Sequence, residues 1–198
     1  MYFDPLYFVL LGPAVLLAVC AHFTVKWTYK RYSRVGTVRG VDGARTVDVL
    51  MRTYSGRAAI ARGFEGAIPA GVMHIGGNLT DYYDPSTKRI ALSDTAHTAS
   101  VAAVAVAAHE FGHAMQDAEH DPGLKLRGAV VPVVNIGSQL APYAFMAGMW
   151  FHSPALAWVG VLGYSLAAFF SLITLPVEFD ASRRALRYLT ETGLLTRE

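Results

Sequence analysis

The sequence predicts a mainly α-helical fold in which three membrane-spanning helices carry a small α+β domain on the inner side of a bilayer. Three observations lead there. The 198 residues are 53% hydrophobic and only 16% charged, with a mean hydropathy of +0.32, which is too apolar for an ordinary soluble domain. The charges are segregated, leaving three long stretches with none. Between the first stretch and the other two lies a polar segment, 26–127, with helix, strand and turn signals of its own.

The first uncharged stretch, Pro5 to Val25, has 21 residues and is bounded by Asp4 and Lys26. As a helix it covers about 30 Å, the thickness of a bilayer core. A cleaved signal peptide would carry a basic leader and a small-residue cleavage site. Neither is evident, so residues 1–25 read as a retained anchor. Gly128–Phe151 and Pro154–Val177 are the other two stretches, and His152-Ser153-Pro154 between them reads as a tight turn. Residues 128–177 are therefore expected to form a transmembrane hairpin, with 178–198 returning as an inner helix. All 17 Lys and Arg residues fall within 26–127 or 183–197. One orientation puts every one of them on the inner side, in contact with a lipid bilayer as partner. The net charge of +2 gives no reason to expect nucleic acid, and the single cysteine, Cys20, excludes a disulfide framework or a cysteine zinc site.

The inner segment opens with Lys26-Trp27-Thr28-Tyr29-Lys30-Arg31-Tyr32, an aromatic and basic mixture suited to the membrane interface. Residues 43–62 favour a helix, with Val47, Leu50, Met51 and Tyr54 at helical spacing, and Gly63–Gly71 reads as a connection. Asn78–Tyr83 alternates like a strand. Asp84-Pro85-Ser86-Thr87-Lys88 is turn chemistry, and Arg89–Leu92 returns as a second strand. A long helix then starts near Ser100.

That helix carries His109-Glu110-Phe111-Gly112-His113. Spacing i, i+4 sets both imidazoles on one face, one turn apart, where they can reach one Zn²⁺ per chain. Glu110 is offset from His109 by one residue step, so it can serve a water as general base without ligating the metal. Hairpin plus motif helix describe a zincin-like domain with a hydrolytic zinc site. A site-2-like intramembrane protease would hold the motif within the bilayer. Here the helix ends in Asp117, Glu119, His120 and Asp121, which is not a span. A non-enzymatic membrane scaffold or regulatory protein that retains a zinc site is the other alternative, and such a site has no need of Glu110.

Two histidines leave a catalytic zinc site one protein ligand short. The acidic candidates are Glu65, Asp94, Asp117, Glu119, Glu178, Asp180, Glu191 and Glu198, with several Asp in 42–84. Glu178 stands out because a hairpin that leaves the inner side near 127 returns there at 178. A solvated carboxylate at a helix start, favoured there by the helix dipole, is the plainer reading of the same residue.

The segments Leu79–Pro85 (LTDYYDP), Val106–His113 (VAAHEFGH), Leu124–Arg127 (LKLR), Val131–Ser138 (VPVVNIGS) and Leu175–Ala185 (LPVEFDASRRA) resemble the YugP-like neutral zinc metallopeptidases, a bacterial membrane family. The architecture is also similar to the HtpX and CAAX-prenyl protease group, in which a membrane hairpin separates HExxH from a zinc-binding glutamate. That resemblance implies a zinc-dependent peptidase acting on a peptide or membrane-protein substrate, a bacterial plasma-membrane location and Glu178 as third ligand, while the Lys and Arg distribution puts the active site on the cytoplasmic side. The resemblance also implies an aspartate four residues after the ligand glutamate, but Ser182 stands at that place and Asp180 lies two residues on.

Asn78, Leu79, Thr80 and Tyr82 are candidates for pairing with extended substrate, as residues of an edge strand beside the motif helix. Tyr82 and Tyr83 could also donate to an oxyanion, although packing is the simpler role. His74, His97 and His120 read as surface or supporting residues, and Arg183 and Arg184 as topology anchors. Oligomeric state is not legible.

Overall fold

Ser100 begins the helix around which the polar part of the chain folds. Its backbone is extended and its hydroxyl accepts the Ala103 N–H at 3.2 Å, which caps the helix at the expected place. The computed structural model describes residues 5–37, 39–54 and 71–195, without the side chains at 7, 8, 10, 11 and 14. Among the described residues the helices are α1 (Pro5–Tyr32), α2 (Gly43–Tyr54), α3 (Val101–Ala118), α4 (Pro122–Trp150) and α5 (Pro154–Glu191), with a 3₁₀ turn at Asp94–His97. Three described strands, β1 (Gly71–His74), β2 (Tyr82–Asp84) and β3 (Arg89–Leu92), lie between α2 and α3. The protein is thus mainly helical with a small sheet, and it divides into two compact units.

One unit comprises Trp27–Lys125 and Val177–Glu198. Its sheet has the order β1-β3-β2, with β3 antiparallel to β2 (Tyr83 opposite Ile90) and parallel to β1 (Val72 opposite Ile90). The central strand buries Ile90, Ala91 and Leu92 completely, because one face meets α3 and neighbours flank both edges. Asp84 closes the β2–β3 turn. Its carboxylate accepts the Ser86 hydroxyl at 2.6 Å, the Thr87 hydroxyl at 2.7 Å and the Ser86 N–H at 2.9 Å. Those bonds, led by the Ser86 hydroxyl, lower its pKa to about 2.

The expected strand from Asn78 to Tyr83 is shorter than its alternation suggested. Asn78–Asp81 form a loop, and pairing starts only at Tyr82. Gly77 and Leu79 both take positive φ, +115° and +56°, which no strand accommodates. Side chains of the 3₁₀ turn hold the loop: Asp94 accepts the Gly77 N–H at 3.0 Å and Thr95 the Leu79 N–H at 3.2 Å. Strand β1, by contrast, has no counterpart in the expectation: only its first residue, Gly71, falls in the expected connection.

The helix expected over 43–62 is present as α2, with Val47, Leu50 and Tyr54 buried, while residues 55–70 lie outside the described part. Tyr54 of α2, Phe111 of α3 and Tyr188 of α5 meet in an aromatic cluster, with Tyr54 and Tyr188 rings 4.5 Å apart. Such rings bury large areas, so this cluster ties the last part of α5 to the motif helix.

The second unit comprises Met1–Lys26 and Leu126–Pro176. α4 and α5 meet at Phe151-His152-Ser153, the turn that the sequence anticipates. A Cβ at Gly160 would lie 2.7 Å from the Ala141 carbonyl oxygen, so only glycine lets these backbones approach so closely. Val133, Ile136, Leu140 and Tyr143 are 61–75% exposed, an apolar face that water does not stabilise. Ser138 donates to the Asn135 carbonyl of its own helix. Among the described residues two helices, α4 and α5, are long and apolar enough to cross a membrane, where three were expected. α1 is helical over the first uncharged stretch.

Candidate metal centre

One turn of α3 separates His109 from His113, and their rings lie 4.7 Å apart between centroids. Helix α5 brings the third group. Glu178 Oε2 lies 3.2 Å from His109 Nε2 and 3.4 Å from His113 Nε2. One ligand atom from each of the three falls within 4.8 Å of the others. The residues are 69 positions apart at the widest, yet all belong to the same compact unit.

Gly112 makes that approach possible. A Cβ there would stand 2.6 Å from the Ala181 carbonyl oxygen and 3.2 Å from its Cα, both backbone atoms of α5. Any side chain would push the two helices apart just where Glu178 must face the histidines. Glycine inside the motif therefore sets the reach of the third group rather than the conformation of α3.

Both rings are oriented from behind. His113 Nδ1 lies 2.9 Å from Gln116 Oε1, and His109 Nδ1 lies 3.2 Å from the Ser182 hydroxyl. Gln116 is fully buried, and its amide nitrogen donates to the Val177 carbonyl at 3.0 Å and to Asp180 at 2.9 Å. Both partners only accept, so the carbonyl end of Gln116 must face His113. His113 Nδ1 therefore carries a hydrogen toward Gln116, which leaves Nε2 as the ring atom facing Glu178, able to donate to its carboxylate or to give its lone pair to a metal ion. Asp180 in turn accepts from Arg184 at 2.6 Å, and Arg184 also reaches Glu119 at 2.8 Å. Burial opposes charge on Asp180, but the bonds from Gln116 and Arg184 outweigh it and lower its pKa. The Glu119 pairing, followed in weight by opposing burial and the bond to Asp180, raises that of Arg184.

The electrostatics suit a cation. Burial by itself lowers the pKa of His113, which is 2% exposed, yet the bond to Glu178 and the charge of Glu110 raise it on balance. A site that favours positive charge on a buried imidazole has the potential a metal ion needs. Two imidazole nitrogens and one carboxylate oxygen also match the donor set of a catalytic zinc site with an open position. Glu110 is buried on the same helix, one residue from His109.

The other acidic candidates among the described residues are engaged elsewhere. Asp94 meets His74 at 3.1 Å, Asp117 pairs with Lys88 and accepts the Tyr83 hydroxyl at 2.6 Å, and Glu191 meets Tyr54 and Arg187. Glu65 and Glu198 lie outside the described part. Burial, and then Asp117, raise the pKa of Tyr83, so its hydroxyl is a held donor within the core. His74 and His97 contact each other at 2.8 Å, and neither belongs to the three-residue group. Arg184 is a bridge within the protein before it is a surface anchor.

Of the residues considered for substrate, Tyr82 lies on β2 and is 45% exposed, while Asn78, Leu79 and Thr80 occupy the adjoining loop. Gln116 was not singled out in the sequence. Its place at i+3 from His113, on the same helical face, was the available signal.

Over residues 7–198 the sequence matches the family described as "Putative neutral zinc metallopeptidase", and the chain belongs to that family. It is also 37% identical over 190 residues to a Bacillus subtilis (strain 168) protein described as "Putative membrane protease YugP". That match covers 95% of this chain and 80% of the other. No solved structure matches it. Family and relative together support a protease role associated with zinc and membranes.

Proposed function

We propose that the protein is a membrane-bound zinc endopeptidase that hydrolyses peptide bonds near the cytoplasmic face of a bacterial plasma membrane. The observation that carries this reading is the convergence of His109, His113 and Glu178 beside Glu110 on a buried helix. His109 and His113 would hold a zinc ion through their ring nitrogens, with Glu178 supplying a carboxylate oxygen as the third donor. Gln116 and Ser182 fix the orientation of both rings through Nδ1.

Zinc held there would supply Lewis acidity, the property that makes water nucleophilic near neutral pH. Glu110 accepts the proton of the attacking water and returns it to the leaving amine. The outer edge of β2 offers backbone groups to an extended peptide, with Tyr82 beside it and Asn78, Leu79 and Thr80 in the adjoining loop. Purified full-length protein in detergent is expected to cleave casein or a membrane-protein substrate. Phenanthroline should abolish the cleavage and added zinc should restore it. Cleavage indifferent to chelation would remove zinc from the reaction.

In this reading α1, α4 and α5 all cross the bilayer, with the turn at residues 151–153 outside. The distribution of Lys and Arg supports it. In a Cys20→Ala background, a single cysteine at Ser153 should react with a membrane-impermeant maleimide on intact cells. One at Ser86 should react only after lysis. Labelling of Ser86 from outside would reverse the assignment.

A further inference from the structure

Between Asp4 and Asp42 the chain carries five cations, Lys26, Lys30, Arg31, Arg34 and Arg39, and no acidic residue. Four residues of this stretch form something more definite than a basic run. Trp27, Lys30, Arg31 and Arg34 stand at i, i+3, i+4 and i+7, sharing one face at the end of α1 and the turn that continues it. Together these exposed side chains border an open surface cavity of about 370 Å³. The Arg31 guanidinium lies 5.5 Å from the centre of the Trp27 ring and 5.9 Å from that of Tyr32, which holds it in place by cation–π attraction. Among the described residues no carboxylate forms an ion pair with Lys30, Arg31 or Arg34. Compensation of the helix dipole accounts for cations in the last turn of α1, but not for a cavity that three of them share with an indole.

We propose that this cavity binds the phosphate headgroup of an anionic phospholipid. Guanidinium groups match phosphate oxygens in pairs, and a third cation makes the site selective for net negative charge over a zwitterion. The source is a lipid rather than a free phosphate because of where the indole sits. Trp27 is 62% exposed and comes two residues after the uncharged stretch ends, the level at which tryptophan sides with headgroups. The inference rests on α1 crossing the membrane, as in the proposed topology.

The test uses the full chain with Trp150→Phe and Trp158→Phe, which leaves Trp27 as the one tryptophan. It is reconstituted in phosphatidylcholine vesicles with either dansyl-phosphatidylglycerol or dansyl-phosphatidylcholine as energy acceptor. Transfer from Trp27 is expected to favour the anionic probe. Lys30→Gln, Arg31→Gln and Arg34→Gln should each cut that preference by roughly fivefold, and the triple variant should erase it. The pair Lys26→Gln with Arg39→Gln, outside the cavity, should reduce it less. Equal transfer to both probes overturns the site. So does equal loss in the Lys26/Arg39 pair, which would indicate diffuse attraction, or displacement by millimolar glycerol phosphate, which would indicate a soluble ligand. Flotation keeps the two readings apart: a chain that fails to float with vesicles contradicts the membrane topology itself.

Discussion

Glu110→Gln is expected to keep zinc near one per chain while cleavage falls by at least about 10²–10⁴-fold, the usual contribution of a positioned proton-transfer group. The amide keeps the size of the carboxylate, so the buried surroundings of residue 110 have no cavity to fill. It cannot, however, take a proton from water. His109, His113 and Glu178 remain to bind metal, and Gln116 still holds His113 through Nδ1. Loss of the negative charge should weaken cation binding somewhat, because Glu110 helps raise the pKa of His113. Zinc content measured at saturating metal therefore separates the two effects. Full activity with zinc bound would take Glu110 out of the mechanism.

Much of this arrangement was legible because strong, local or length-based signals carried it. The i, i+4 histidines and the Ser100 cap are local, and α3 starts at the expected residue. Glu178 could be suspected from chain geometry alone, since an uncharged hairpin must return to the side it left. The supporting residues were harder. Resemblance directed attention to residue 182 as an aspartate's place, and the Ser182 hydroxyl does sit 3.2 Å from His109. Asp180, though, acts through Gln116 on the other histidine, a relation that needs the α3–α5 approach at Gly112 to be seen.

The loop at 78–81 misled for a different reason. Its alternating composition favours a strand, but Asp94 and Thr95, some sixteen residues away, hold Gly77 and Leu79 in turn conformations. Strand β1 escaped because its four residues pair in parallel with a distant partner and carry little alternation of their own.

Zinc per folded chain in a Glu178 series tests the account most directly. Without that carboxylate two imidazoles remain, and Glu178→Ala is expected to weaken zinc by more than the roughly 10–100-fold that loss of an outer partner costs. Glu178→Gln should be intermediate, since a neutral amide is a poorer ligand. Asp117→Ala and Glu119→Ala remove the partners of Tyr83, Lys88 and Arg184 and should cost stability. Their folded fractions should nevertheless hold zinc as the parent chain does. Metal content is measured on size-selected, folded protein, so poor expression does not count as ligand loss. The account predicts a zinc deficit confined to position 178. Full zinc occupancy and cleavage in Glu178→Ala, with both lost in Asp117→Ala or Glu119→Ala, would contradict it.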